Sequence, residues 1–168
     1  HEMYKEVIAR LDSFKKLCEA SPCRFFFAQN DVYAAAVQQT AEVIKLRKSK
    51  ILYQQGEYSL KGSSSPVAGE WRFAGGGSLA RNGCHPLSSI LYLKSVEAAV
   101  HQTVITPLSV IADVGVTTTG LLPEAKRGIA ANPIDVEDFG TLVLTFSDGS
   151  KATVTSTDVV VGGTQNTL

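Results

Sequence analysis

The chain has 168 residues, 44% of them hydrophobic and 19% charged, and its 16 basic and 16 acidic side chains cancel. That is the size of one domain able to bury its own core without disulfides or metals. Balanced charge leaves no footprint for nucleic acid or an anionic membrane, and no apolar run approaches the roughly 20 residues that span a bilayer.

Glu2 to Ala20 is predicted helical, because Tyr4, Val7, Ile8, Leu11, Phe14, Leu17 and Cys18 recur on one face. Lys and Glu fill the other face, so the segment is no signal peptide. Ser21-Pro22 ends it, since the residue before proline is pushed out of the helical region. Arg24-Phe25-Phe26-Phe27-Ala28 reads as a short strand buried on both faces, as in a parallel sheet. Gln29-Asn30-Asp31 offers a turn, with Asp31 as a helix N-cap. A second helix is predicted from Tyr33 to Lys48, with Val37, Thr40, Ala41 and Ile44 facing inward. Its basic last turn (Lys45, Arg47, Lys48) suits the negative end of the helix dipole.

Ile51 to Tyr58 is predicted as a strand with Ile51, Tyr53 and Gln55 on one side, and Lys61 to Val67 as a loop. From Ser78 to about Ser95 the pattern is helical, with Leu79, Leu87, Ile90, Leu91 and Leu93 inward and a kink or helix start near Pro86. Strands follow at Leu108–Thr118, Thr141–Phe146 and Ala152–Val161, and the mixed stretch Thr119–Asn132 has room for a turn of helix. Ser147-Asp148-Gly149-Ser150 is a hairpin signal of the type I′ kind. Strands joined by tight turns imply an antiparallel sheet, with one face on helices and the other open to solvent, a ligand or another subunit. The opening helix has no earlier strand to return from, and the end at Leu168 carries no capping sequence. The expectation is a chain cut from a longer one.

The candidate chemistry gathers in Gly69–Pro86. There Trp71, Arg72, the run Gly75-Gly76-Gly77, Arg81, Asn82, Cys84 and His85 fall together. The glycines could cradle a phosphate or simply bring backbone close to a ligand. They match neither G-x-G-x-x-G nor a Walker motif. His85 can exchange a proton near neutrality. On a helix it shares a face with Arg81, four residues earlier, whose charge would favour the neutral imidazole. A structural histidine is the alternative. Cys84 lacks an acid–base partner beyond the adjacent histidine. Trp71-Arg72 are either core and surface residues or a ligand wall with a charged donor. Asn30 ends a buried strand, where open α/β sheets bind ligands, or it serves only the turn. Glu137 and Asp138 read as structural. Cys18, Cys23 and Cys84 are odd in number and lack CxxC spacing, so they form neither a disulfide framework nor a metal site. They read as reduced thiols of a cytoplasmic protein.

Gly69-Glu70-Trp71-Arg72-Phe73, then Gly75-Gly76-Gly77-Ser78-Leu79, then Gly83-Cys84-His85-Pro86 resemble the signature of the Gfo/Idh/MocA oxidoreductases. These are NAD(P)-dependent sugar, inositol and related polyol dehydrogenases. Phe25 to Val37 is similar to their last Rossmann strand and the following helix, and Val136-Glu137-Asp138 with the Asp-Gly hairpin to their C-terminal sheet. The resemblance implies an α+β fold: an open, mostly antiparallel sheet with helices on one face, similar to the C-terminal domain of glyceraldehyde-3-phosphate dehydrogenase. It implies that 1–48 is the end of a truncated Rossmann domain plus a connecting helix. Residues 49–168 would form a substrate-binding and oligomerisation domain, incomplete at its C-terminus.

His85 would then be catalytic. Arg72, Arg81 and Asn82 would contact a sugar, polyol or sugar-acid-like substrate, and Asn30 and Trp71 would lie at NAD or NADP. Most of the cofactor site would fall outside this chain, and the fragment alone would be inactive. A homo-oligomer would form through the open sheet face. The family often has Asp-x-x-x-His here, and the aspartate position is Arg81. An arginine stays protonated and cannot act as a base, but it can hold an anionic group. The alternative implied is a ligand-binding or oligomeric scaffold that keeps the fold without the chemistry.

Overall fold

The computed structural model describes residues 2–25, 29–121, 124, 128–161 and 164–168. Its centre is a long helix, α5, that is apolar on both sides. The other elements are α1 (Glu2–Ala20), α2 (Ala35–Arg47), β1 (Tyr53–Ser59), the short α3 (Trp71–Ala74) and α4 (Ser78–Arg81), α5 (Cys84–Val100), β2 (Pro107–Gly115), β3 (Phe139–Phe146), β4 (Lys151–Thr157) and β5 (Gln165–Thr167). A helix with apolar residues all round must be covered on both sides. α2 covers one side of α5, where Val37, Ala41 and Ile44 meet Leu93 and Val96. The sheet covers the other, where Ile90 packs on Leu144, Phe146, Ala152 and Val154.

The sheet has five strands in the order β2-β3-β4-β1-β5. All neighbours run antiparallel except β1 and β4, which are parallel, with Tyr53 opposite Lys151 and Glu57 opposite Thr155. Parallel neighbours need a long crossover. After β1 the chain runs through α3, α4 and α5 and returns as the antiparallel strands β2, β3 and β4. The fold is α+β with a mostly antiparallel open sheet, as expected.

Several local expectations change. In β1 the buried side carries Gln54 and Gly56, while Tyr53 and Gln55 are exposed. Close packing sets this register: a Cβ at Gly56 would sit 2.6 Å from the Cβ of Pro86 on α5. The helix expected from Tyr33 begins at Ala35, because Asn30–Tyr33 forms a separate 3-10 turn. Asp31 lies inside that turn and does not cap α2. The hairpin is not type I′, since Gly149 has a φ of +85° and Asp148 is not at positive φ. Gly149 N–H donates to the Phe146 carbonyl and Phe146 N–H to that of Ser150, which closes a three-residue loop with glycine at the left-handed position.

The apolar face of α1 is exposed at Val7, Ile8, Leu11, Phe14 and Leu17, from 37% to 68%. The strand expected at Arg24–Ala28 falls mostly on residues 26–28, outside the described residues. The helical turn expected in 119–132 appears as a 3-10 turn at Thr118–Gly120, and part of that stretch is likewise outside them. The sequence predicts one strand over Ala152–Val161, but β4 ends at Thr157, where the Asp158 N–H turns back to donate to the Asp138 carbonyl.

Candidate functional site

The glycine run separates α3 from α4. Gly75 and Gly76 have φ of +72° and +149°, values that favour glycine. Glu137 fills the turn they make. Its carbonyl accepts from Ser78 N–H at 3.0 Å. Its carboxylate accepts from Gly77 N–H at 2.8 Å and Leu79 N–H at 3.2 Å. The Gly77, Ser78 and Leu79 amides therefore bond Glu137 of the same chain, and the Gly75 amide donates to the Trp71 carbonyl. A Cβ at Gly77 would overlap the Glu137 carbonyl, so the turn and Glu137 fit only together.

Trp71 and Arg72 stand on α3, opposite the first turns of α1. With Glu6, Val7 and Arg10 they line an open cleft of about 420 Å³. The Trp71 amide donates to Asp135 Oδ1 at 2.6 Å, which anchors α3. The Arg72 guanidinium lies 4.5 Å from the Phe73 ring centroid. Asn30, also expected near a cofactor, is exposed in the Asn30–Tyr33 turn and does not line this cleft.

Arg81 and His85 do not share a helical face. The helix expected to run through both breaks at Asn82-Gly83, and α5 starts at Cys84. Arg81 instead forms an ion pair with Asp158, just past the end of β4. Asn82 Nδ2 donates to the other Asp158 oxygen at 3.1 Å. Two of the expected substrate contacts therefore converge on one buried carboxylate. Burial pushes the Asp158 pKa up, against the pull of Arg81. Cys84 Sγ donates to the Arg81 carbonyl at 3.2 Å, and burial raises its thiol pKa as well. That suppresses the thiolate a nucleophile needs.

His85, the second residue of α5, stacks on Tyr58 of β1, with ring centroids 5.1 Å apart and 25° between planes. Its Nδ1 lies 3.9 Å from Asp31 Oδ1 and is buried without a hydrogen-bond partner. Asn166 Nδ2 of β5 donates to the other Asp31 oxygen at 3.1 Å. Tyr58 and Asp158 were missed in the sequence, and Asp31 was read only as a cap. None carries a local signal, because each meets its partner across 27 to 77 residues of chain. Among the described residues no group of His, Cys, Asp and Glu could hold a metal ion, and no helix is long and apolar enough to cross a membrane.

A family model, the GFO/IDH/MocA C-terminal domain, matches residues 50–168. The chain belongs to this family. The resemblance carried by the tryptophan, glycine and histidine motifs thus holds. A search of curated proteins finds no match to this chain. Solved structures with the same fold include an aldose-aldose oxidoreductase from Caulobacter crescentus complexed with glycerol. It is 17% identical with a TM-score of 0.68, over 92% of this chain and 41% of that one. GenD2 from gentamicin A biosynthesis, in complex with NAD, is 21% identical with a TM-score of 0.60, over 82% and 34%. A levoglucosan dehydrogenase in complex with NADH and levoglucosan is 21% identical with a TM-score of 0.57, over 81% and 34%. The chain spans about a third to two-fifths of these structures' lengths. Within the GFO/IDH/MocA match lie both His85, against Tyr58, and Arg81, turned to Asp158.

Proposed function

We propose that this GFO/IDH/MocA chain is the substrate side of an NAD(P)-dependent oxidoreductase that moves a hydride between the nicotinamide and a sugar, polyol or sugar-acid-like substrate. The observation that carries the reading is His85, held between an aromatic ring and a carboxylate within the family's signature segment. Two of the similar structures are a levoglucosan dehydrogenase and an aldose-aldose oxidoreductase, which supports a sugar-like substrate. In this reading His85 exchanges a proton with the substrate oxygen. Arg72, on the cleft beside Trp71, supplies a charged donor. Arg81 and Asn82 hold the α4–α5 corner through Asp158, while Arg81 Nε is left without a partner.

The nicotinamide would supply the hydride acceptor or donor. Asn30 and Trp71 would stand at its margin. At the glycine run Glu137 already holds the Gly77 and Leu79 amides, which disfavours the cofactor's pyrophosphate there. That group is assigned to residues beyond this chain, so the isolated chain should not turn over. Turnover of the full-length protein and its His85→Ala variant on sugars and sugar acids tests the assignment. An unchanged kcat would remove His85 from the chemistry.

The open sheet face would join subunits. Ile111 is 76% exposed and pairs with exposed Val143. Ile111→Glu should lower the oligomer mass seen by light scattering, and an unchanged mass rejects this face. A cytoplasmic setting goes with the reduced-thiol reading. The second reading, a scaffold that keeps the fold without the chemistry, is favoured by the engagement of Arg81 with Asp158. Absence of NADH or NADPH fluorescence change on titration into the full-length protein would select it.

A further inference from the structure

The imidazole and the carboxylate nearest it come from distant parts of the chain. His85 sits in the first turn of α5, and Asp31 lies in the 3-10 turn ahead of α2. Their facing atoms, Nδ1 and Oδ1, are 3.9 Å apart. That is beyond hydrogen-bond length, yet Nδ1 is buried and has no other partner. A buried imidazole nitrogen left unpaired is costly. Asp31 is itself held, because Asn166 Nδ2 bonds its far oxygen and leaves the near one for the ring. Tyr58 packs flat on the imidazole and limits its rotation. The residue four positions before His85, Arg81, cannot serve as this partner, being paired with Asp158.

We infer that Asp31 is the positioning residue of His85. It draws the proton to Nδ1 and so leaves the lone pair on Nε2, the nitrogen that would meet a substrate oxygen. The inference rests on the reading of His85 as the proton-transfer residue. A carboxylate acts on imidazole in two ways here: it selects the tautomer, and it fixes the ring plane. Neither requires Asp31 to move a proton itself. Contacts of this kind shorten when a site fills, so a small closure would complete the bond. The device also explains how a segment before residue 50, outside the stretch matched by the family model, contributes to the site.

The test uses the 168-residue chain with nitrogen-15 in its histidines. Long-range proton–nitrogen spectra at alkaline pH, where the rings are neutral, show which nitrogen of each ring carries the proton. His85 is expected with the proton on Nδ1, and His101 serves as the internal control. Asp31→Ala should move His85 toward the Nε2-protonated form, and Asp31→Glu should restore part of the Nδ1 form. Asn166→Ala, which keeps the carboxylate but loosens it, should give a smaller shift in the same direction. A wild-type His85 protonated on Nε2 overturns the inference whether or not any variant folds. So does an Asp31→Ala spectrum identical to wild type. The measurement needs neither cofactor nor substrate. Loss of the pair would leave hydride transfer standing, and absence of hydride transfer would leave the pair standing.

Discussion

The two ends of α5 handle buried charge in opposite ways. At its C-terminal end Lys94 and Glu97 are each 1% exposed, and they are fully engaged. Lys94 Nζ donates to Glu97 at 2.6 Å, to Asp148 at 2.8 Å and to the Ile51 carbonyl at 3.3 Å, and Glu97 also accepts from Ile51 N–H at 3.2 Å. This cluster ties the helix to the lead-in of β1 and to the hairpin loop. At the N-terminal end Arg81 keeps a buried Nε, and His85 a buried Nδ1, without partners. The Lys94–Glu97 network is fully satisfied and reads as scaffold; the unpaired atoms at the other end adjoin the glycine run, whereas His101 Nε2, also unpaired at the C-cap, has no such company. Proximity to the signature motif alone would not have separated the two.

Lys94→Ala should break the comparison's strong side. It leaves Glu97 charged in the core, and removing one partner of a buried pair costs about 3–5 kcal/mol. Urea denaturation of the variant should show a loss of that size. Replacing Lys94 and Glu97 together with Met and Leu should recover most of it, because an apolar pair of similar volume needs no compensation. If Lys94→Ala is nearly silent, the cluster is not the anchor described.

Asp158→Ala should have the next largest effect. It strips both Arg81 and Asn82 of their acceptor, and buried donors left unsatisfied cost about 1–3 kcal/mol each. Arg81 is 22% exposed and recovers part of this from water, so the variant should fall short of Lys94→Ala by the same denaturation assay. Arg81→Asp would set two carboxylates together near Glu137 and Asp138. It should be less stable than Arg81→Ala, and a more stable Arg81→Asp would mean that α4 can swing away from Asp158.

The aspartates at the two ends should also differ in pH response. Asp148 is lowered from 3.8 to about 2: burial works against its charge, but Lys94 and Ser150 outweigh it. A depressed carboxyl contributes stability that is complete above 3.8 and is lost as pH falls toward about 2. Asp158 is raised, chiefly by burial. The fold therefore favours its protonated form, and the stability this supplies is complete below 3.8 and is lost as pH climbs past it. Melting curves across the acid range should show a flatter slope below 3.8 for Asp148→Asn than for wild type. An unchanged slope would detach Asp148 from Lys94.

Much of this was legible in the sequence, and the limit was range. α1, α2 and the β3–β4 hairpin follow from periodicity and turn residues within a few positions. The glycine run and His85 mark the segment on which the proposed site is built. What failed were inferences that extended one local rule too far. Continuing the helix from Ser78 through Ser95 placed Arg81 beside His85, whereas Gly83 breaks it. A Cβ at Gly83 would lie 2.6 Å from the Leu79 carbonyl, so that corner admits only glycine without a shift. Lys94 and Glu97 carry no local mark of burial, because nothing in their sequence neighbourhood shows that the sheet and α2 enclose them. Asp31, Tyr58 and Asp158 depend on tertiary pairing alone. α1 shows the converse: its apolar stripe was read correctly, yet the described residues leave it uncovered.

His85→Ala should have the smallest effect on stability, and that makes it the sharpest discriminator between the two ends. The imidazole loses one stacked ring contact, a class of interaction worth about 0.5–1.5 kcal/mol. Against that loss, the substitution removes a buried nitrogen that has no partner, which relieves an unfavourable term. It also frees Asp31, whose far oxygen remains bonded to Asn166. These changes oppose each other, so denaturation should place His85→Ala within about 1 kcal/mol of wild type. A residue that contributes little to the fold, while a ring and a carboxylate hold its orientation, is placed for use rather than for support. A loss comparable to Lys94→Ala would mean that His85 is a core histidine, and both ends of α5 would then be scaffold.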